Sequence, residues 1–95
     1  MSEKRDAYVQ KMKAKLDEWN ADIAKLEAKA RQKDAEAREN VERRIEALKT
    51  KRKTVEDDLD QLRSSAEDAW EDLKSGIDSA AAALGEALQS VRSRF

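Results

Sequence analysis

The residues of this chain that could do chemistry are its carboxylates, because histidine and cysteine are both absent. Glu67 and Glu71, and likewise Asp68 and Asp72, stand four positions apart, which places each pair on one face of a helix. Such a pair can bind a divalent cation weakly. The more common interpretation is an acidic helix start that complements the helix dipole. We favour that interpretation and expect no metal, no cofactor and no catalytic residue.

The composition also indicates a protein that is not an enzyme. Gly76 and Gly85 are the only glycines and stand apart, so the sequence contains no glycine-rich phosphate loop. Charged residues make up 43% of the chain, aromatic residues make up 4%, and proline is absent. This mixture is typical of long helices and coiled coils. A rod of two helices would lack the concave pocket that catalysis requires.

Charge and hydropathy argue against a nucleic-acid-binding protein and against a protein that spans a membrane. The net charge of −1 does not provide the single-sign field of a dedicated nucleic-acid binder. No apolar run approaches the ~18–20 residues of a membrane span. The segment from Met1 to Lys15 is polar and charged throughout, unlike a signal peptide. We therefore expect a cytoplasmic protein that does not bind nucleic acid.

Apolar side chains recur along the chain in alternating steps of three and four, the a/d pattern of a heptad repeat. We predict that these positions form a helix-association seam, in which both tryptophans are packing residues rather than ligand sites. The seam consists of Val9, Met12, Leu16, Trp19, Ile23, Leu26, Val41, Ile45, Leu48, Val55, Leu59, Leu62, Trp70, Leu73, Ile77, Leu84, Leu88 and Val91.

A helix start is predicted near residue 64. Ser64 or Ser65 can cap free backbone N–H groups, and Glu67 and Asp68 follow at capping-box spacing. We therefore predict an all-α fold in one coiled-coil domain, residues 1–95. It has a helix at about 3–63, a turn at about 64–65 and a shorter amphipathic helix at about 66–94. The two helices would form an antiparallel helical hairpin or coiled coil.

Two other positions for a chain reversal remain open. The seam thins between Arg31 and Asn40, where Lys33 occupies a seam position, although no glycine or proline interrupts this stretch. Thr54 and Asp57 form a weaker capping-box match, which allows a reversal at 50–54. Breaks at both about 33 and 64 would instead give a three-helix bundle.

The hairpin has a consequence for oligomeric state. A short second helix would cover only residues of about 34–63, leaving the seam from Val9 to Ala30 exposed. Exposed apolar stripes of that size normally mark an interface. We therefore expect self-association through the first ~30 residues of the chain.

Several segments resemble a family of short bacterial coiled-coil proteins that are uncharacterised or described as stress-response proteins. The resemblance lies in Tyr8, Leu16-Asp17-Glu18-Trp19-Asn20, Ile23, Leu26-Glu27-Ala28-Lys29-Ala30, Ile45-Glu46-Ala47-Leu48, Ala69-Trp70-Glu71-Asp72-Leu73-Lys74-Ser75-Gly76 and Arg94-Phe95. It implies a helical, soluble bacterial protein without established catalytic residues.

Our leading hypothesis is a non-enzymatic coiled-coil protein that acts through helix–helix association. The resemblance alone adds a role in a bacterial stress response. The alternative is an amphipathic protein that protects a membrane or another surface. Arg92, Arg94 and Phe95 form a cluster suited to lipid, whereas the acidic start of the same segment disfavours anionic lipid.

Overall fold

The computed structural model describes residues 3–95 and consists of three packed α-helices. These are α1 (Glu3–Ala30), α2 (Ala35–Arg63) and α3 (Trp70–Arg92). They form an elongated bundle that measures 51 × 18 × 17 Å. Helix α2 is antiparallel to both neighbours and packs closely against each, whereas the backbones of α1 and α3 approach at fewer places.

The three-helix bundle is therefore confirmed, and the two-helix hairpin is wrong. The single helix predicted for 3–63 is broken at Arg31–Asp34. Asp34 is the N-cap of α2, with extended backbone angles φ −65° and ψ 166°, and its carboxylate accepts a hydrogen bond of 3.0 Å from the Ala37 N–H. Propensity alone favoured continuous helix here, but packing α1 back onto α2 buries the seam of both. Residues 1 and 2 of the predicted domain lie outside the described residues.

A reversal at 50–54 is also wrong, because these residues lie inside α2. The Thr54 hydroxyl donates to the Thr50 carbonyl oxygen one turn earlier, at 3.2 Å. A threonine that bonds backward in this way is compatible with a helix interior. Capping-box spacing at Thr54 and Asp57 therefore does not mark a helix start.

One hydrophobic core runs along the bundle. Each helix contributes one apolar stripe, as expected for an amphipathic helix that faces a core on one side. Val55, Leu62 and Leu84 are fully buried, and Ile23 and Ile77 are nearly so. Burying one such side chain contributes about 1.5–3 kcal/mol, so the stripe accounts for the association of the helices.

Candidate functional site

The predicted seam lies in the core of the bundle. Of its residues, Trp19 and Leu73 are partly buried and pack against the core, and the others are buried. The stripe from Val9 to Ala30, which the hairpin left exposed, is covered by α2 and α3 of the same chain. We therefore no longer expect self-association through an exposed stripe in the first ~30 residues.

Trp19 borders a shallow groove between α1 and α3. Met12, Lys15, Asp78 and Gly85 line the same groove. The Lys15 ammonium lies 6.0 Å from the centre of the Trp19 ring, which is within the range of a cation–π interaction. This groove exists because α1 and α3 are each packed mainly against α2.

The predicted N-terminal cap at residues 64–68 is wrong. Helix α3 begins at Trp70, and its N-cap, Ala69, makes no side-chain capping hydrogen bond. The Ser64 hydroxyl instead donates to the Gln61 carbonyl oxygen at 3.2 Å, and the Ser65 hydroxyl donates to that of Leu62 at 2.7 Å. Both serines therefore satisfy carbonyl groups at the C-terminus of α2, which have no partner within the helix.

The acidic pairs of the cation hypothesis span the start of α3. Glu67 and Asp68 lie in the turn before the first residue of α3. Glu71 and Asp72 lie in its first turn. Each pair thus bridges the turn and α3. Asp68 is exposed, and Glu67 contacts α1 instead.

Arg5 connects this turn to α1. Its side chain is buried, with 5% of its surface exposed. The guanidinium donates to the Ser65 carbonyl oxygen at 2.6 Å and to the Glu67 carboxylate at 2.8 Å, and it lies 3.5 Å from the Leu62 carbonyl oxygen. A buried arginine is tolerated where several acceptors surround it. Its positive charge also lies at the negative end of the α2 dipole.

Tyr8 makes a second polar contact at the same end of the bundle. Its hydroxyl donates to the Asp78 carboxylate at 2.7 Å, and the Lys74 ammonium lies 5.5 Å from the ring centre. Burial, reinforced by the hydrogen bond to Asp78, raises the pKa of Tyr8 well above its usual value. Arg5 and Tyr8 together fix the start of α1 against both ends of the 64–78 segment.

Arg5 and Tyr8 lie outside the predicted seam. A signal was present for Arg5, because the alternating steps of the seam extend backward from Val9 to position 5. Arg5 was not predicted as a seam residue because its side chain is charged and the seam was defined by apolar residues. Ala30, where the predicted stripe from Val9 ends, is buried as well.

Ion pairs cover the surface of α2. Lys53 pairs with Asp57 at 2.8 Å within the helix, and Lys49 reaches across to Glu27 of α1 at 3.1 Å. The hydrogen bond to Glu27 raises the pKa of Lys49. The basic stretch at 49–53 is thus a charged helix face with acidic partners. Exposed pairs of this type contribute little to stability because water screens them.

An aromatic and basic cluster lies at the opposite end of the rod. Phe95 is 40% exposed. The ammonium groups of Lys29 and Lys33 lie 5.9 and 5.0 Å from the centre of its ring. Arg92 pairs with Asp22 of α1 at 3.2 Å. This end therefore combines an exposed ring with positive charge from two helices.

The comparisons with known proteins do not assign the chain to a class. No protein-family model, curated protein or solved structure matches it. Over residues 3–95, no helix is both long enough and apolar enough to cross a membrane. What can be argued about function therefore rests on the chain itself.

We predict that Arg5→Met destabilises the fold by about 1–3 kcal/mol, because it leaves partly buried carbonyl groups of Leu62 and Ser65 without their charged donor. Glu67→Gln should cost less than about 1 kcal/mol, because the Glu67 side chain is 62% exposed. Urea denaturation followed by circular dichroism measures both. Lys53→Met, which removes an exposed pair, is the matched control. An equal loss for Arg5→Met and Lys53→Met would contradict the proposed role of Arg5.

Because the pKa of Tyr8 is raised in the folded protein, we predict that the fold loses stability in alkali. Its raised folded-state pKa stabilises the fold fully below the unfolded pKa of about 10, and this contribution is lost as the pH rises beyond that value. Tyr8→Phe should cost about 1.5 kcal/mol at neutral pH, and the difference from the parent should shrink above about pH 10. Because Tyr8 is the only tyrosine, phenolate absorbance reports its titration directly. Ionisation of Tyr8 at its ordinary pKa in the folded protein would refute the prediction.

Proposed function

We propose that this chain is a non-enzymatic helical protein that acts by self-association through its helices. The observation that carries the proposal is that, among residues 3–95, the large apolar side chains other than Phe95 belong to one helix-packing core along the 51 Å rod. The chain's capacity for specific recognition is thus concentrated in helix pairing. We do not assign a catalytic role to any of its carboxylates.

The resemblance to short bacterial coiled-coil proteins supports the same proposal. It also adds the suggestion that the protein is bacterial and takes part in a stress response. A cytoplasmic location belongs to this proposal as well. Neither a nucleic acid nor a cofactor is part of it.

The test of self-association is the mass of the protein in solution. Sedimentation equilibrium over a wide concentration range should give a mass that rises above that of one chain. The melting temperature should rise with concentration, because mass action stabilises an associating protein. Lys53→Ala is the control, and at each concentration its mass and melting temperature should equal those of the parent. A one-chain mass and a constant melting temperature at all concentrations would refute the proposal.

Seam substitutions are unsuitable for this test. Leu16 and Ile23 are core residues of the single chain, so aspartate at either position would remove the fold together with any association. The experiment therefore keeps the seam intact and varies concentration. Circular dichroism on the same samples should show a helical protein in buffer without lipid.

A second candidate function is association with an anionic membrane surface. The observation that favours it is the exposed Phe95 ring between Lys29 and Lys33. An aromatic ring beside basic side chains suits the interface of an anionic bilayer. The excess of acidic residues between positions 64 and 95, namely six acidic against three basic, opposes it.

Vesicle sedimentation tests this second function. We expect binding to vesicles that contain phosphatidylserine but not to neutral vesicles. Lys29→Gln with Lys33→Gln should weaken that binding. Lys13→Gln with Lys25→Gln, which removes the same charge from exposed positions, should weaken it less. Equal loss in the two double variants, or no binding by the parent, would exclude a specific role for this end.

A further inference from the structure

We propose that two copies of this chain associate by exchanging α1, so that α1 of each copy packs onto α2 and α3 of the other. The proposal rests on the proposed self-association and specifies how it occurs. Exchange of an identical element keeps the contacts of the single chain and is a low-cost route to a dimer. Its critical feature is the connection between α1 and α2.

The break between α1 and α2 is concentrated at one residue. The backbone still turns in a helical sense after α1, because the Arg31 N–H donates to the Glu27 carbonyl oxygen at 3.2 Å and that of Lys33 donates to Ala30 at 3.1 Å. Asp34 then has ψ 166°, whereas a helical residue has ψ of about −42°. Changing the backbone at Asp34 is therefore the main step that joins α1 to α2.

The sequence of the connection favours the joined form. Arg31, Gln32 and Lys33 are strong helix formers, and neither glycine nor proline occurs between positions 31 and 40. No residue among 3–95 has a positive φ angle that would fix a turn. What holds the bend locally is the Asp34 side chain, which accepts the Ala37 N–H. A joined helix would gain backbone hydrogen bonds and lose this cap.

The apolar stripe also continues through a joined helix. Ala30 is the last buried residue of α1 and Val41 is the first of α2. They are eleven positions apart, which is about three turns of a helix and brings both onto the same face. One straight helix from Glu3 to Arg63 would thus present a single stripe. In a dimer, that stripe meets the same stripe of an antiparallel second copy.

The start of α2 has little to cover it in a single chain. Between positions 31 and 40 the structure buries no residue, and Ala37 is half-buried. In the exchanged dimer this segment lies at the two-fold axis and faces the same segment of the second copy. The small side chain of Ala37 permits close approach of the two helices there. Exchange therefore adds contacts at the segment that lacks them.

Charge reversal distinguishes exchange from other modes of dimerisation. Two ion pairs connect α1 to the other helices, Glu27 with Lys49 and Asp22 with Arg92. One chain carries Glu27→Lys and Asp22→Arg, and the other carries Lys49→Glu and Arg92→Asp. Each chain alone, folded or self-dimerised, has like charges at both contacts. Only an exchanged heterodimer restores opposite charges at every one of them.

Native mass spectrometry of the mixed chains, after joint unfolding and refolding, measures the result. We expect the heterodimer to exceed its statistical share several-fold. The control pair is Lys53→Asp with Arg43→Glu, mixed with Asp57→Lys with Glu39→Arg. It reverses two contacts within α2, which exchange leaves inside one chain, and it changes the net charge of each chain by the same amount as the test pair. It should therefore form far less heterodimer than the test pair. If the chains with reversed ion pairs form homodimers and heterodimers in statistical proportions, exchange is overturned, whereas self-association is not.

Variants of the connection provide a second measurement in the parent background. Asp34→Ala removes the cap and should raise the dimer fraction at a given concentration. Gln32→Gly with Lys33→Gly disfavours the joined helix and should lower the dimer fraction. Light scattering measures both, and the ion pairs are unchanged in each. Equal dimer fractions in the two variants would overturn exchange, and the absence of dimer from the parent at any concentration would overturn the proposed function as well.

Discussion

The structure depends on the burial of one apolar stripe per helix. A helix with a single apolar face is marginal alone in water, since most helical stability in proteins comes from packing that face. Here α2 supplies the surface on which both other helices pack. Leu62 and Leu84, fully buried on α2 and α3, show how completely the stripes cover one another. The polar contacts at the ends of the bundle then determine how the chain passes from one helix to the next.

Those end contacts differ in physical character. At one end, the Arg5 guanidinium donates to the Ser65 carbonyl oxygen, just after α2, and to the Glu67 carboxylate in the same turn. At the other end, Asp34 caps the start of α2 through a single exposed hydrogen bond. The first contact is buried and involves several acceptors, whereas the second is local and exposed. The bundle is therefore more firmly fixed at the 64–69 turn than at the 31–34 turn.

The heptad pattern was sufficient to predict an all-α chain and most of its core, because burial periodicity is encoded locally. It could not decide where the chain reverses. At Asp34 the residues on both sides favour helix, so the bend is stabilised by packing of distant residues rather than by turn-forming sequence. At Ser64 and Ser65 the capping-box spacing is present in the sequence, but their hydroxyls donate to carbonyl groups of the preceding helix. Arg5 was missed because its acceptors come from a turn about 60 positions away, which no local pattern records.

The contrast between the two turns bears on what such a chain can do. Folding back within one chain requires closure of a short connection, which costs little entropy. Pairing with a second copy costs about 4–15 kcal/mol of translational and rotational freedom, so the closed bundle is favoured in dilute solution. The contacts of α1 with α2 and α3 are the same in both arrangements, and they cancel in the comparison. The equilibrium between the closed bundle and the exchanged dimer is then decided by the protein concentration and by the backbone conformation of Asp34. The residues around Asp34 favour continuous helix, and its extended conformation bends the chain there.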